Sequence, residues 1–99
     1  MDPRDAQELW WDDDNYEHFE GRRGIHYWEA EEVFANGPVF TRNPRSGGGD
    51  YFMIGQTDSG NFLTIVVDML ADWQALLPIT AWHSTAAEKD QYRRMRRRG

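Results

Sequence analysis

The chain has 99 residues and no cysteine, so acid-base or nucleophilic chemistry must rest on three histidines, seventeen carboxylates and eleven Lys/Arg side chains. Candidates for a base are His26, His83 and His18, or a carboxylate such as Glu88. Histidine is the natural choice because its ordinary pKa lets it exchange protons near neutrality. His26 lies two residues beyond Gly24, at the expected start of a helix, and His83 lies beside Trp82, between the expected last strand and last helix. If a sheet brings these junctions together, the two form an acid/base pair; otherwise His26 is a polar helix-start residue and His83 a loop residue. Arg22, Arg23, Arg93 and Arg94 suit a phosphate clamp, because guanidinium groups offer paired donors to non-bridging oxygens. Their alternative is a solvated helix face, the favoured reading for Arg96, Arg97 and Arg98.

Several chemistries are excluded or disfavoured. Without cysteine there is no disulfide framework, thiolate nucleophile or Cys-based zinc site. The adjacent carboxylates Asp12, Asp13 and Asp14 cannot all face one ion from a regular element, and they suit a helix N-terminus instead. Glycines 47 to 49 lack the flanking strand, lysine and helix of a phosphate loop. No metal or cofactor is expected. Tyr92 is expected to pack rather than to act as an acid, since a free phenol titrates near pH ~10.

The net charge of −6 hides a segregation: residues 1 to 35 sum to −8 and the last twelve to +4. An acidic front and a basic tail are two different surfaces, so a phosphate-binding face remains compatible with an acidic chain. No apolar run approaches the roughly 18 to 20 residues that span a bilayer, and the first residues lack the order of a signal peptide. A cytoplasmic protein with no membrane partner is expected.

The elements that must position these residues follow from the apolar pattern. One domain over residues 1 to 99 is expected, with a core at about 8 to 95, a flexible loop at 45 to 50 and a basic tail at 93 to 99. Leu9, Trp10 and Trp11 read as a short strand feeding a helix at about 14 to 23, with Gly24 as its stop. Ala30, Val33 and Phe34 mark a second short helix at about 28 to 35. Strand-like runs follow at 39 to 40, 51 to 54, 62 to 67 and 73 to 79, separated by turn residues at 46 to 49, 57 to 60 and 69 to 72, and together they predict an antiparallel meander. Thr85 and Glu88 form a capping box that opens a last helix, with Tyr92 and Met95 placed to dock it on the sheet. Five Trp, five Phe and four Tyr supply most of the core, too many to hide fully, so one or more of the tryptophans is expected at an interface. Trp28 and Trp82 are the candidates.

Four ordered stretches resemble the BrnT family of bacterial toxins. Trp11, Asp12, Asp13, Asp14 and Asn15 are similar to the family's W-D-x-x-N, and Arg22, Arg23, Gly24, Ile25 with Glu29, Ala30, Val33, Phe34 to its K-H-G-[VI] and E-A-x-x-V-F. The pair formed by residues 51 to 55 and 63 to 67 resembles its paired strands. Ile79, Thr80, Ala81, Thr85, Glu88 and Tyr92 resemble its I-[ST]-A-R-x-x-T-x-x-E-x-x-x-Y. The resemblance implies a RelE-like α+β fold with a short N-terminal strand, two short helices, a three- to four-stranded antiparallel sheet and a C-terminal helix. It also implies a metal-independent endoribonuclease that inhibits translation, silenced in a hetero-oligomer with a BrnA-like antitoxin.

Two positions depart from the pattern: Arg23 stands for the family's histidine and Trp82 for its arginine. Arg23 cannot act as a base and Trp82 cannot pair with phosphate, which moves the expected catalytic set to His26 and His83 with Arg23 as a cation at the scissile phosphate, and leaves Arg22, Arg93 and Arg94 to hold RNA. Two other functions fit the same residues. One is a non-catalytic protein-binding module on the same fold; the other is a small acidic inhibitor that imitates nucleic acid.

Overall fold

The structure, a computed structural model, describes residues 1–45 and 48–98. After a 3-10 turn at Pro3–Asp5 come β1 (Glu8–Leu9), α1 (Asp13–Phe19), a second 3-10 turn at Arg22–Gly24, and α2 (Tyr27–Ala35). Four longer strands follow, β2 (Val39–Arg42), β3 (Tyr51–Gln56), β4 (Phe62–Leu70) and β5 (Ala75–His83), and then α3 (Ala86–Arg98). They form one five-stranded sheet of order β1-β5-β4-β3-β2. The expected antiparallel meander is β2 to β5, and β1 joins it in parallel through the pairs Glu8 with Ala75 and Leu9 with Leu76. The fold is α+β, with a mixed sheet rather than a wholly antiparallel one of three or four strands.

Side-chain alternation divides the core between the two faces of the sheet. On the first, Leu9, Met53, Leu63, Ile65, Val67, Leu76 and Ala81 meet Phe19, Ile25, Ala30 and Val33 from the segment that contains α1 and α2. On the second, Phe52, Ile54 and Val66 meet Tyr92 and Met95 of α3, as their spacing predicts.

Several boundaries differ from the sequence reading, each for a local reason. Helix α1 ends at Phe19, not at 23, because Glu20 is extended and Gly21 turns left-handed at φ 77°. The apolar run 9 to 11 yields a strand ending at Leu9, since Asp12 already caps α1 through the Asn15 amide at 2.9 Å. Strand β4 continues to Leu70, which moves the following turn to Ala71–Trp73 and shifts β5 toward its C-terminal end. His83 is therefore the last strand residue, not a loop residue. The expected tail is the continuation of α3 through Arg98. Of the expected flexible loop, Ser46 and Gly47 lie outside the described residues; Asn43 bonds the Gly48 and Gly49 carbonyls.

Candidate functional site

The connection between α1 and α2 gathers the most chemistry. Gly21, Arg23 and Gly24 all have positive φ (77°, 55° and 72°), so the chain reverses within a few residues and closes through Gly21 N–H on the Ile25 carbonyl at 2.9 Å. Glycine tolerates this region and arginine does not favour it. The Arg23 guanidinium is tied to β5, donating to the Thr80 hydroxyl at 3.2 Å and the Ala81 carbonyl at 3.3 Å. Asn15 donates to the Pro78 carbonyl at 3.2 Å. Both side chains occupy acceptors on β5 beyond the reach of short β1, where an open edge would otherwise invite pairing.

Across this loop sits a carboxylate–imidazole pair. Glu20 accepts from the Tyr27 amide at 2.8 Å through one oxygen, and its other oxygen lies 2.5 Å from His26 Nδ1. The hydrogen bond shared with Glu20 raises the pKa of His26 above its ordinary value; desolvation opposes the rise, and the charges of Glu20 and Glu29 add to it. The same bond, with the Tyr27 amide, lowers the Glu20 carboxyl. Nδ1 is thereby fixed as donor to Glu20, and among the described residues Nε2 makes no hydrogen bond. The His26 amide donates to Glu29 at 3.0 Å, which holds the residue at the start of α2.

Trp28 stacks on the His26 ring, with centroids 5.7 Å apart and planes 7° from parallel, while 49% of the residue remains exposed. Behind the pair, Trp11 donates to Glu31 at 2.7 Å and packs edge-on against Phe19 and Tyr27, locking α1 to α2.

Of the residues singled out in the sequence, the fold brings Arg22, Arg23, His26 and Trp28 to this one junction. His83 lies opposite Leu63 in the sheet register, hence on the same face as α1 and α2, two residues beyond the Ala81 that holds Arg23. Arg93 and Arg94 belong elsewhere: Arg93 lies over the Phe62 ring at 5.4 Å on the α3 face, and Arg94 pairs with Asp90 at 3.4 Å. Trp82 also faces α3. Its indole donates to Glu88 at 3.1 Å, its ring meets Phe52 edge-on, and Arg45 lies over it at 5.5 Å. Trp28 and Trp82 thus belong to different surfaces.

Glu20 escaped the sequence reading because an α1 running to residue 23 would have buried it within a helix. The signal was present as a carboxylate and a histidine flanking two glycines. Among the described residues no group of three or more His, Cys, Asp or Glu is placed to hold a metal. A depression of about 730 Å³ beside Pro38, Phe40, Tyr51 and Met95 contains none of the candidate residues. Chemically, the junction offers an oriented imidazole with a free nitrogen, an exposed indole plane, and the cation of Arg22. Comparison of the chain with protein-family models, with curated proteins and with solved structures finds no match.

Proposed function

We propose that this protein is a BrnT-like toxin component that cleaves RNA at the α1–α2 junction and is neutralised in the cytoplasm by a BrnA-like antitoxin. The carrying observation is His26, oriented by Glu20 at Nδ1 and stacked beneath exposed Trp28. A base of single-stranded RNA would stack on Trp28, and Arg22 would take a non-bridging phosphate oxygen. In the reaction the 2′-hydroxyl oxygen bonds to phosphorus as the bond to the 5′-oxygen breaks. The 2′-proton goes to His83, and His26 Nε2 gives its proton to the leaving oxygen, leaving a 2′,3′-cyclic phosphate and a 5′-hydroxyl. A raised pKa favours the protonated imidazole over the neutral one, which suits His26 to the acid role. The RelE-like identity of the fold belongs to this reading and rests on the four ordered stretches together with the meander and C-terminal helix.

Induction of the intact chain in bacteria is expected to arrest growth with RNA cleavage, and His26→Ala or His83→Ala to relieve both. Unimpaired growth with intact RNA at full expression would overturn the reading. A non-catalytic binding module on the same scaffold is the second reading. It is favoured by the fact that Arg23 and Trp82, which stand at the family's histidine and arginine positions, are both engaged within the fold. A stable complex with a neighbouring gene's product and no RNA cleavage would select it.

A further inference from the structure

Helix α3 lies over β2 and β3, and the β1–β5 side of that same sheet face carries a surface that the junction site does not use. The registers Glu8 with Ala75, Leu70 with Ala75, and Asp68 with Leu77 place Glu8, Leu70, Asp68 and Leu77 on that face, and strand alternation adds Trp10. Trp73, from the turn between β4 and β5, packs on Trp10 with centroids 5.7 Å apart and planes 39° from parallel. The two are 68% (Trp73) and 39% (Trp10) exposed, so the pair presents indole surface to solvent.

Three carboxylates lie on this face or at its border: exposed Glu8 two residues before Trp10, exposed Asp72 next to Trp73 in the chain, and half-buried Asp68 on β4 opposite Leu77. Among the described residues none of Glu8, Asp50, Asp68 or Asp72 forms an ion pair with a lysine or arginine. Burial pushes the Asp68 carboxyl up, and the charge of Asp50 pushes it further. Two exposed, mutually tilted indoles with unpaired carboxylates on the same face match one side chain best. A guanidinium plane can stack on indole while its edge donates to carboxylates, whereas an ammonium group cannot form the same bidentate, stacked contact.

We infer that the Trp10–Trp73 surface docks an arginine-bearing segment of another protein, with the indoles taking the guanidinium faces and Glu8, Asp68 and Asp72 their donors. Charge complementarity selects this occupant: Glu8 and Asp68 on this face and Asp72 beside Trp73 are carboxylates with no ion-pair partner among the described residues. The inference stands apart from the nuclease reading and uses none of its residues.

The test follows the five indole N–H resonances of the intact, isotope-labelled chain as a short capped peptide of alternating arginine and serine is added. The same peptide carrying lysine or glutamine in place of arginine serves for comparison. Trp10 and Trp73 signals are expected to move selectively, with arginine bound more tightly than lysine and glutamine not bound. Trp73→Ala should weaken arginine-peptide binding about five-fold, Asp68→Asn should weaken it in the same direction, and Glu17→Gln on α1 should leave it unchanged. The inference is overturned by equal affinity for the lysine peptide, by selective shifts at Trp28 or Trp82, or by Trp73→Ala binding like the parent. It is also overturned if sedimentation shows the parent self-associating through this surface, with Trp73→Ala restoring a monomer.

Discussion

At the start of α2 the Glu29 carboxylate accepts the His26 amide at 3.0 Å, and at the start of α3 the Glu88 carboxylate accepts the Thr85 amide at 2.8 Å. Both helices thus begin with a carboxylate reaching back from their first turn, but the surroundings differ. Glu88 also takes the Thr64 hydroxyl at 2.9 Å and the Trp82 indole at 3.1 Å, and Thr64 is bonded in turn to Ser84 at 2.9 Å. Burial alone would raise the Glu88 pKa; the Thr85 amide, the Trp82 indole and the Thr64 hydroxyl outweigh it, so the carboxyl is held below its usual range. Among the described residues, no buried side-chain nitrogen or oxygen of that junction lacks a partner. At α2 the second carboxylate, Glu20, binds an imidazole whose far nitrogen stays open beside an exposed indole. A saturated cap fixes a helix, and an unsaturated one leaves a hydrogen-bonding group for a ligand.

Replacing the open group should give the largest functional loss. If His26 is the acid, His26→Ala lowers the RNA-cleavage rate by roughly 10²- to 10⁴-fold, measured on purified protein with a defined RNA. Thermal unfolding should scarcely move, because the ring is exposed on one side. A variant that cleaves at the parent rate removes His26 from the site and makes the two junctions alike in being structural.

Replacing the saturated group should reverse that pattern. Glu88→Ala removes the α3 cap and leaves the buried Thr64 hydroxyl with Ser84 alone, at a cost of about 1 to 3 kcal/mol. That corresponds to roughly 4 to 8 °C of melting temperature per kcal/mol for a domain of this size. Cleavage per folded molecule should be unchanged. Equal stability of parent and variant would show that the network is not needed to hold α3.

The contrast between the two junctions was only half visible in the sequence. Thr85 and Glu88 stand at the spacing of a capping box, a local signal that needs no tertiary knowledge, and the structure bonds both as expected. Tyr92 and Met95 were legible for the same reason, since helical periodicity alone puts them on one face. The Glu20–His26 pair was not legible, because it depends on where α1 stops. Two glycines, Gly21 and Gly24, could each end the helix, and propensity does not choose between them. Arg23 was misplaced for a related reason: the loop turns it toward the Thr80 and Ala81 edge of β5, a long-range contact that no spacing encodes. Parallel pairing of β1 was likewise hidden, since two residues carry too little pattern to give a direction.

The smallest expected effect is the most diagnostic of the open junction. Glu20→Gln keeps the shape of the side chain and removes its charge, so the His26 pKa should fall back toward the ordinary 6.5. The sign for stability follows from linkage. The contribution of His26 is fully present below its unfolded value and is lost as pH rises through its raised folded value. That of Glu20 is fully present above its ordinary 4.5 and is lost as pH falls through its lowered folded value. The parent should therefore carry the whole contribution of the pair between about pH 4.5 and 6.5, with decline on both sides, and Glu20→Gln should flatten that profile. If His26 acts as the acid, the alkaline limb of cleavage should also move to lower pH in the variant. A ring-proton titration of His26 by NMR that is identical in parent and variant would show that Glu20 neither holds nor charges the imidazole, and the open junction would lose the feature that separates it from the saturated one.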